Sequence, residues 1–141
     1  MIELPIVIDS SLTMAWCFKD EATGASDAIR DRLERTSAVV PAHWPIEVQN
    51  SARVGERRGK VSLGELGAFI AFVRLQHIEL DVRPLDATFG DLLALSRQYG
   101  VTPYDAAYIE LALRRGLPLA TRDANMARAA QSLGITLLDT A

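Results

Sequence analysis

Two rhythms of apolar residues run through this chain. Short runs rich in Ile, Leu and Val predict strands at 4–8 (LPIVI), 37–41 (SAVVP), 78–82 (IELDV), 117–121 (LPLAT) and 135–139 (ITLLD). Longer segments between them predict helices at 10–18, 21–36, 43–59, 62–76, 86–100, 103–115 and 124–134. Gly59, Gly100, Gly116 and Gly134 serve as stops, Pro45 suits a first turn, and two Gly weaken the segment 62–76. Strands of about five residues separated by helices argue for a short-stranded parallel central sheet flanked by helices. The helical pair 86–115 before the fourth strand breaks a simple alternation.

The stretch VTPYDAAYIELAL (101–113) is apolar nearly all round, as a buried helix is. Thr102 suits its N-cap, Pro103 its N1 position, and Asp105 its N3 position, where a carboxylate favours the positive end of the helix dipole. That local account of Asp105 needs only the helix. A carboxylate at the start of a buried helix also needs a polar partner, because an unpaired one in a core costs several kcal/mol.

With 141 residues and 49% hydrophobic composition, the chain suits one domain with one core, over residues 1–141. No segment approaches the roughly 20 apolar residues of a membrane span. MIELPIVIDSS carries acids and no basic leader, so a cytoplasmic protein without a membrane partner is expected. The single Cys17 excludes an internal disulfide and a multi-Cys zinc site. It follows Trp16 in an apolar run and reads as core. The net charge of −3 gives no global nucleic-acid signal. RVGERRGK (53–60) and RR (114–115) are local basic spots, which solvated helix ends also explain.

Four acids stand in similar places. Asp9 ends the first strand, Asp123 lies just past the fourth, and Glu47 and Asp105 lie in first turns of helices. Each alone is accounted for by a helix N-terminus, worth ~0.3–1 kcal/mol. Together they suggest more, since the loops after the strands of an open parallel sheet gather at one edge where ligands bind. No Lys or Arg stands beside Asp9 or Asp105 in the chain. A divalent cation would satisfy all four, and carboxylates with waters are the ligands of Mg²⁺ and Mn²⁺, whereas zinc prefers His or Cys.

VIDSS (7–11), PIEVQN (45–50), TPYDAAYIELA (102–112) and LATRDANMARAA (119–130) resemble the four acidic motifs of PIN-domain ribonucleases. The resemblance covers essentially the whole chain and is nearest the VapC-like toxins of toxin–antitoxin pairs. It implies a three-layer PIN-like α/β fold and an endoribonuclease that cleaves RNA with Mg²⁺ or Mn²⁺. It also implies a homodimer and a cognate antitoxin that blocks the site. By this resemblance Asp9, Glu47, Asp105 and Asp123 hold one or two cations, and a metal-bound water attacks the phosphate in line. Either Glu47 or Asp105 would orient that water or take its proton. The family usually leaves 5′-phosphate and 3′-hydroxyl ends, so the 2′-OH need not be the nucleophile.

Ser10 and Thr121, beside Asp9 and Asp123, are supporting candidates, for a metal water, a phosphate oxygen or simple capping. Asn50 shares the helix face of Glu47 and is a candidate bridge from Glu47 to Asp9. Arg53, Arg57, Arg58 and Arg122 are candidate RNA phosphate contacts. His43 and His77 lack a ligand spacing. Trp16, Trp44, Tyr104 and Tyr108 read as packing residues. Two alternatives remain: a non-catalytic partner-binding module of the same fold, and an Asp9-based phosphotransferase or phosphatase. The latter pattern wants a second Asp where Ser11 stands.

Overall fold

The apolar run at the start of the chain forms β1 (Ile6–Ile8), with all three side chains buried. In the computed structural model, which describes residues 3–141, β1 lies inside a four-stranded sheet. It pairs with β2 (Ala38–Pro41) on one side and β4 (Leu119–Ala120) on the other, and β3 (Ile78–Asp81) lies outside β2. Every pairing is parallel, in the order β3-β2-β1-β4. The chain steps outward from β1 to β3, then returns to the far side of β1. The strand order therefore reverses between β1 and β4, where an open α/β sheet leaves a crevice at its carboxyl edge.

The helices differ from the sequence pattern mainly at their ends. The first, α1 (Ser10–Met14), covers half of the predicted 10–18, because the amides of residues 15–18 turn back onto the carbonyls of Leu12, Thr13 and Met14. A single 3-10 turn (Lys19–Glu21) follows, and α2 (Gly24–Arg32) starts only where Thr23 and Ser26 cap each other reciprocally. Next come α3 (Trp44–Arg57) and α4 (Leu63–Leu75), the latter capped by Ser62 and Glu65. They are followed by α5 (Leu85–Tyr99), α6 (Pro103–Arg115) and α7 (Ala124–Ser132). The predicted strand 135–139 reduces to one bridge, Leu119 to Leu137. Ile135 is its one buried side chain, so little burial sustains a longer ladder.

The α6 helix lies against β1, β2 and β4, with α5 and α7 beside it. Every residue from Ala106 to Ala112 is buried, as the apolar pattern predicts. The acid among them, Glu110, is met by Arg114 at 2.6 Å and Arg83 at 3.2 Å. On the other side of the molecule α1 packs on α3, which touches α4. Cys17 and Trp44 are buried, and burial pushes the Cys17 thiol up to about 11, which fits a core residue.

The segment after α1 packs on α3 at a glycine. A Cβ on Gly55 would lie 2.3 Å from the Phe18 ring, which is itself only 5% exposed. Alanine is favoured over glycine in a helix by about 1 kcal/mol. Overpacking should outweigh that gain, so Gly55→Ala is expected to destabilise the protein by about 1–3 kcal/mol in urea unfolding.

Candidate active site

Asp9 follows β1 and is the N-cap of α1. Its Oδ1 accepts the Leu12 amide at 2.8 Å, and the Ser11 hydroxyl lies 2.8 Å from both carboxylate oxygens. Across the β1–β4 crevice, Thr121 donates its hydroxyl to Oδ2. The Asp9 amide bonds the Ala120 carbonyl at 3.3 Å, which aligns the two strand ends. The side chain is 3% exposed. Burial pushes its pKa up to about 6, against the pull of the Thr121, Leu12 and Ser11 hydrogen bonds, and the charge of Asp105 pushes the same way.

The other three acids also stand at helix N-termini. Asp123 caps α7, accepting the Met126 amide at 2.9 Å, while its own amide bonds Thr121 Oγ1 at 3.0 Å. Asp105 lies in the first turn of α6, where Thr102 Oγ1 accepts its amide at 3.1 Å. Burial raises the Asp105 carboxyl above its ordinary value, and the charges of Asp123 and Glu47 raise it further. Glu47 lies in the first turn of α3. Burial raises its pKa, but hydrogen bonds from His43 and Tyr108 outweigh this and hold it low. Asp105 thus lies within electrostatic reach of Asp123 and Glu47, and Asp9 in turn feels the charge of Asp105.

Among the described residues Asp9, Asp105 and Asp123 form no ion pair, although paired cations are common elsewhere on the surface. The donors gathered here are carboxylate oxygens and hydroxyls, the hard set that suits Mg²⁺ or Mn²⁺. As the side chains stand, no three His, Cys, Asp or Glu among the described residues converge as a metal ligand set. Glu47 is turned onto Tyr108 and His43. The donor chemistry fits a divalent cation, with Glu47 Oε2 left without a hydrogen-bond partner among the described residues.

The supporting residues divide. Thr121 is in the site, on Asp9. The hydroxyl beside Asp9 is Ser11 rather than Ser10: at the second position of α1 it folds back onto the N-cap and also accepts the Arg122 amide at 2.9 Å. Asn50 is exposed on α3 and does not bridge Glu47 to Asp9, because Tyr108 and His43 take its place at Glu47. Of the arginines, Arg53 pairs with Glu56 at 2.8 Å and Arg122 donates to the Glu21 carbonyl. Arg57 is exposed, and Arg58 lines a groove with Ser11, Asn50 and Lys60. Arg114 and Arg115 are bound to Glu110, Asp81 and Glu79 instead of standing free. His43 and Tyr108 were missed as site residues. The i, i+4 spacing of His43 and Glu47 was the available signal. Tyr104, expected to pack, is 62% exposed in the first turn of α6, before that helix reaches the sheet.

The fold places the chain among open parallel α/β domains, with Asp9 and Asp123 capping the helices that follow β1 and β4. Within that class, residues 6–132 match the PIN-domain family, and the chain belongs to it. It is 33% identical over 102 residues to Ribonuclease VapC3 of Mycobacterium tuberculosis, covering 72% of each chain. Among solved structures it is similar to PAE2754 of Pyrobaculum aerophilum, with a TM-score of 0.68 and 21% identity, over 95% of this chain and 83% of that one. FitAcB of Neisseria gonorrhoeae has a TM-score of 0.62 and 14% identity, over 96% and 97% of the two chains. VapC20 of Mycobacterium tuberculosis, described as a sarcin-ricin loop cleaving toxin, has a TM-score of 0.66 and 16% identity, over 88% and 94%. These structures share the fold.

The buried Asp9 makes stability depend on pH. Folded, it keeps its proton to about pH 6; unfolded, an Asp loses it near pH ~3.9. Between these values the folded state binds the extra proton, so stability falls as pH rises and the loss is complete above the folded pKa. The gap corresponds to about 3 kcal/mol, of which roughly 1 kcal/mol is regained on going from pH 7 to pH 5. Urea unfolding in EDTA should show this gain in the parent protein and little of it in Asp9→Asn. An equal gain in both proteins would place the titration elsewhere.

Proposed function

We propose that this chain is a metal-dependent endoribonuclease, acting in the cytoplasm as the toxin of a toxin–antitoxin pair. The observation that carries the reading is a buried Asp9 at the β1–β4 crevice that feels the charge of Asp105, which in turn feels Asp123 and Glu47, while the three aspartates have no ion-pair partner among the described residues. Similarity to Ribonuclease VapC3 supports RNA as the substrate. Asp9, Glu47, Asp105 and Asp123 are the residues that would hold Mg²⁺ or Mn²⁺. A bound cation lowers the pKa of a water and stabilises charge on the phosphate under attack. Ser11 and Thr121 hold Asp9 by their hydroxyls, and Glu47 or Asp105 would orient the attacking water or take its proton. The groove that runs from Ser11 to Arg58 offers the phosphate backbone the Arg58 guanidinium, Lys60 there being paired with Glu21, and Arg53, Arg57 and Arg122 are further candidate contacts. An Asp9 nucleophile of the phosphotransferase kind is disfavoured, since both its oxygens accept hydroxyl donors and Ser11 stands where the second Asp belongs.

RNA cleavage by the purified chain should need Mn²⁺ or Mg²⁺ and stop in EDTA, and Asp9→Asn and Asp105→Asn should each lose most of it while staying folded. Mn²⁺ should also raise the melting temperature of the parent protein far more than that of Asp105→Asn, because only binding to the folded state stabilises. Cleavage that persists in EDTA rejects the reading.

Two surfaces support the partners. An apolar groove between the α1–α2 segment and α4, floored by Trp16, Phe69 and Phe72 and rimmed by Lys19 and Glu65, suits a hydrophobic antitoxin segment. The α5 helix exposes Leu85, Phe89 and Leu93 at i, i+4 and i+8, next to Leu80 and Val82 of the edge at β3, and this face suits a homodimer. The parent protein is expected to sediment as a dimer and Phe89→Asp as a monomer with an unchanged melting profile. A parent that sediments as a monomer at micromolar concentration rejects the dimer.

A further inference from the structure

Glu47 differs from the other three acids in what holds it. Asp9 and Asp123 accept amides of their own helices. Glu47 accepts two side chains instead, both on the same oxygen. Tyr108 OH lies 2.7 Å from Oε1, and His43 Nε2 lies 3.0 Å from it. Among the described residues Oε2 accepts no hydrogen bond.

Tyr108 is 1% exposed, within the sheet-facing part of α6 and three residues after Asp105. A hydroxyl at that depth costs about 1–3 kcal/mol if left without a partner, and packing alone would be served by phenylalanine. His43 Nε2 also lies 3.2 Å from the Tyr104 carbonyl oxygen. A nitrogen that faces a carboxylate and a carbonyl meets only acceptors, so a ring proton belongs on Nε2, where the two oxygens share it. His43 thereby joins the N-terminus of α3, which carries Glu47, to that of α6, which carries Asp105. Its ring meets Tyr108 edge-on at 5.4 Å and Tyr104 at 5.6 Å, and these contacts fix its orientation.

We propose that Tyr108 and His43 are positioning residues that pin Oε1 of Glu47, leave Oε2 as the one oxygen it offers to the cation, and set the separation of Glu47 from Asp105. The inference rests on the metal-dependent reading above. Partners of this kind, which hold a ligand carboxylate without touching the metal, typically change metal affinity about 10–100-fold when removed.

Calorimetric titration of the full chain with Mn²⁺, without RNA, tests it. Tyr108→Phe keeps the ring in the core and is expected to weaken Mn²⁺ binding about tenfold. His43→Ala should weaken it too, and His43→Gln, which restores an N–H donor, should recover part of the loss. In a Glu47→Ala background, Tyr108→Phe should cost no further affinity, because it acts through Glu47. An equal loss in both backgrounds would show that Tyr108 acts through packing and overturns the proposal. A parent that binds Mn²⁺ with unchanged affinity in Tyr108→Phe overturns it alone. A parent that binds no Mn²⁺ overturns the metal reading and the proposal together.

Discussion

The structure turns on a carboxylate buried where the strand order reverses. Asp9 sits between the ends of β1 and β4 without a cationic side chain, held by one amide and the hydroxyls of Ser11 and Thr121. Those donors stabilise the charged form, yet burial and the neighbouring Asp105 outweigh them. Around it the fold places Glu47, Asp105 and Asp123 at helix N-termini. Each dipole offsets part of the cost of an acid, but no dipole removes the repulsion between acids.

Around the last turn of α6 the arginines are committed to the chain's own acids. Arg114 bridges Glu110 and Asp81, Arg115 pairs with Glu79, and Arg83 reaches Glu110 and Asp91. These pairs lie on α6 and around β3 and α5. They tie the last turn of α6 to the edge of the sheet while its first turn carries Asp105. The helix is held at both ends, by arginines at one and by Thr102 and His43 at the other. The buried α6 carries Asp105 in its first turn, and Tyr108 on the same helix donates to Glu47 on α3.

Much of this is legible in the residues. The apolar runs mark β1 to β4, and the all-round apolar stretch after Pro103 marks α6 as the buried helix. The four acids read as lying at helix starts do stand at helix N-termini. The errors fall where local signals compete. The pattern through Phe18 reads as helix, but the chain turns after Met14 and restarts at the Thr23 cap. The apolar run at 135–139 has strand composition, yet one buried side chain does not hold it in the sheet. Ser10 and Ser11 look alike in sequence, and only the geometry of the second helical position folds Ser11 back onto Asp9.

What the sequence determined by itself is local: the period of each element, the caps that start helices, and the presence of an acid at each of four helix N-termini. These depend on interactions within a turn or two of the chain. The tertiary structure decided the strand order β3-β2-β1-β4, the meeting of Asp9 with Thr121, and the hold of His43 and Tyr108 on Glu47. Each of these joins residues far apart in the chain or chooses among side chains that share a face. Such choices follow from how whole layers pack, and no periodicity within one element encodes them.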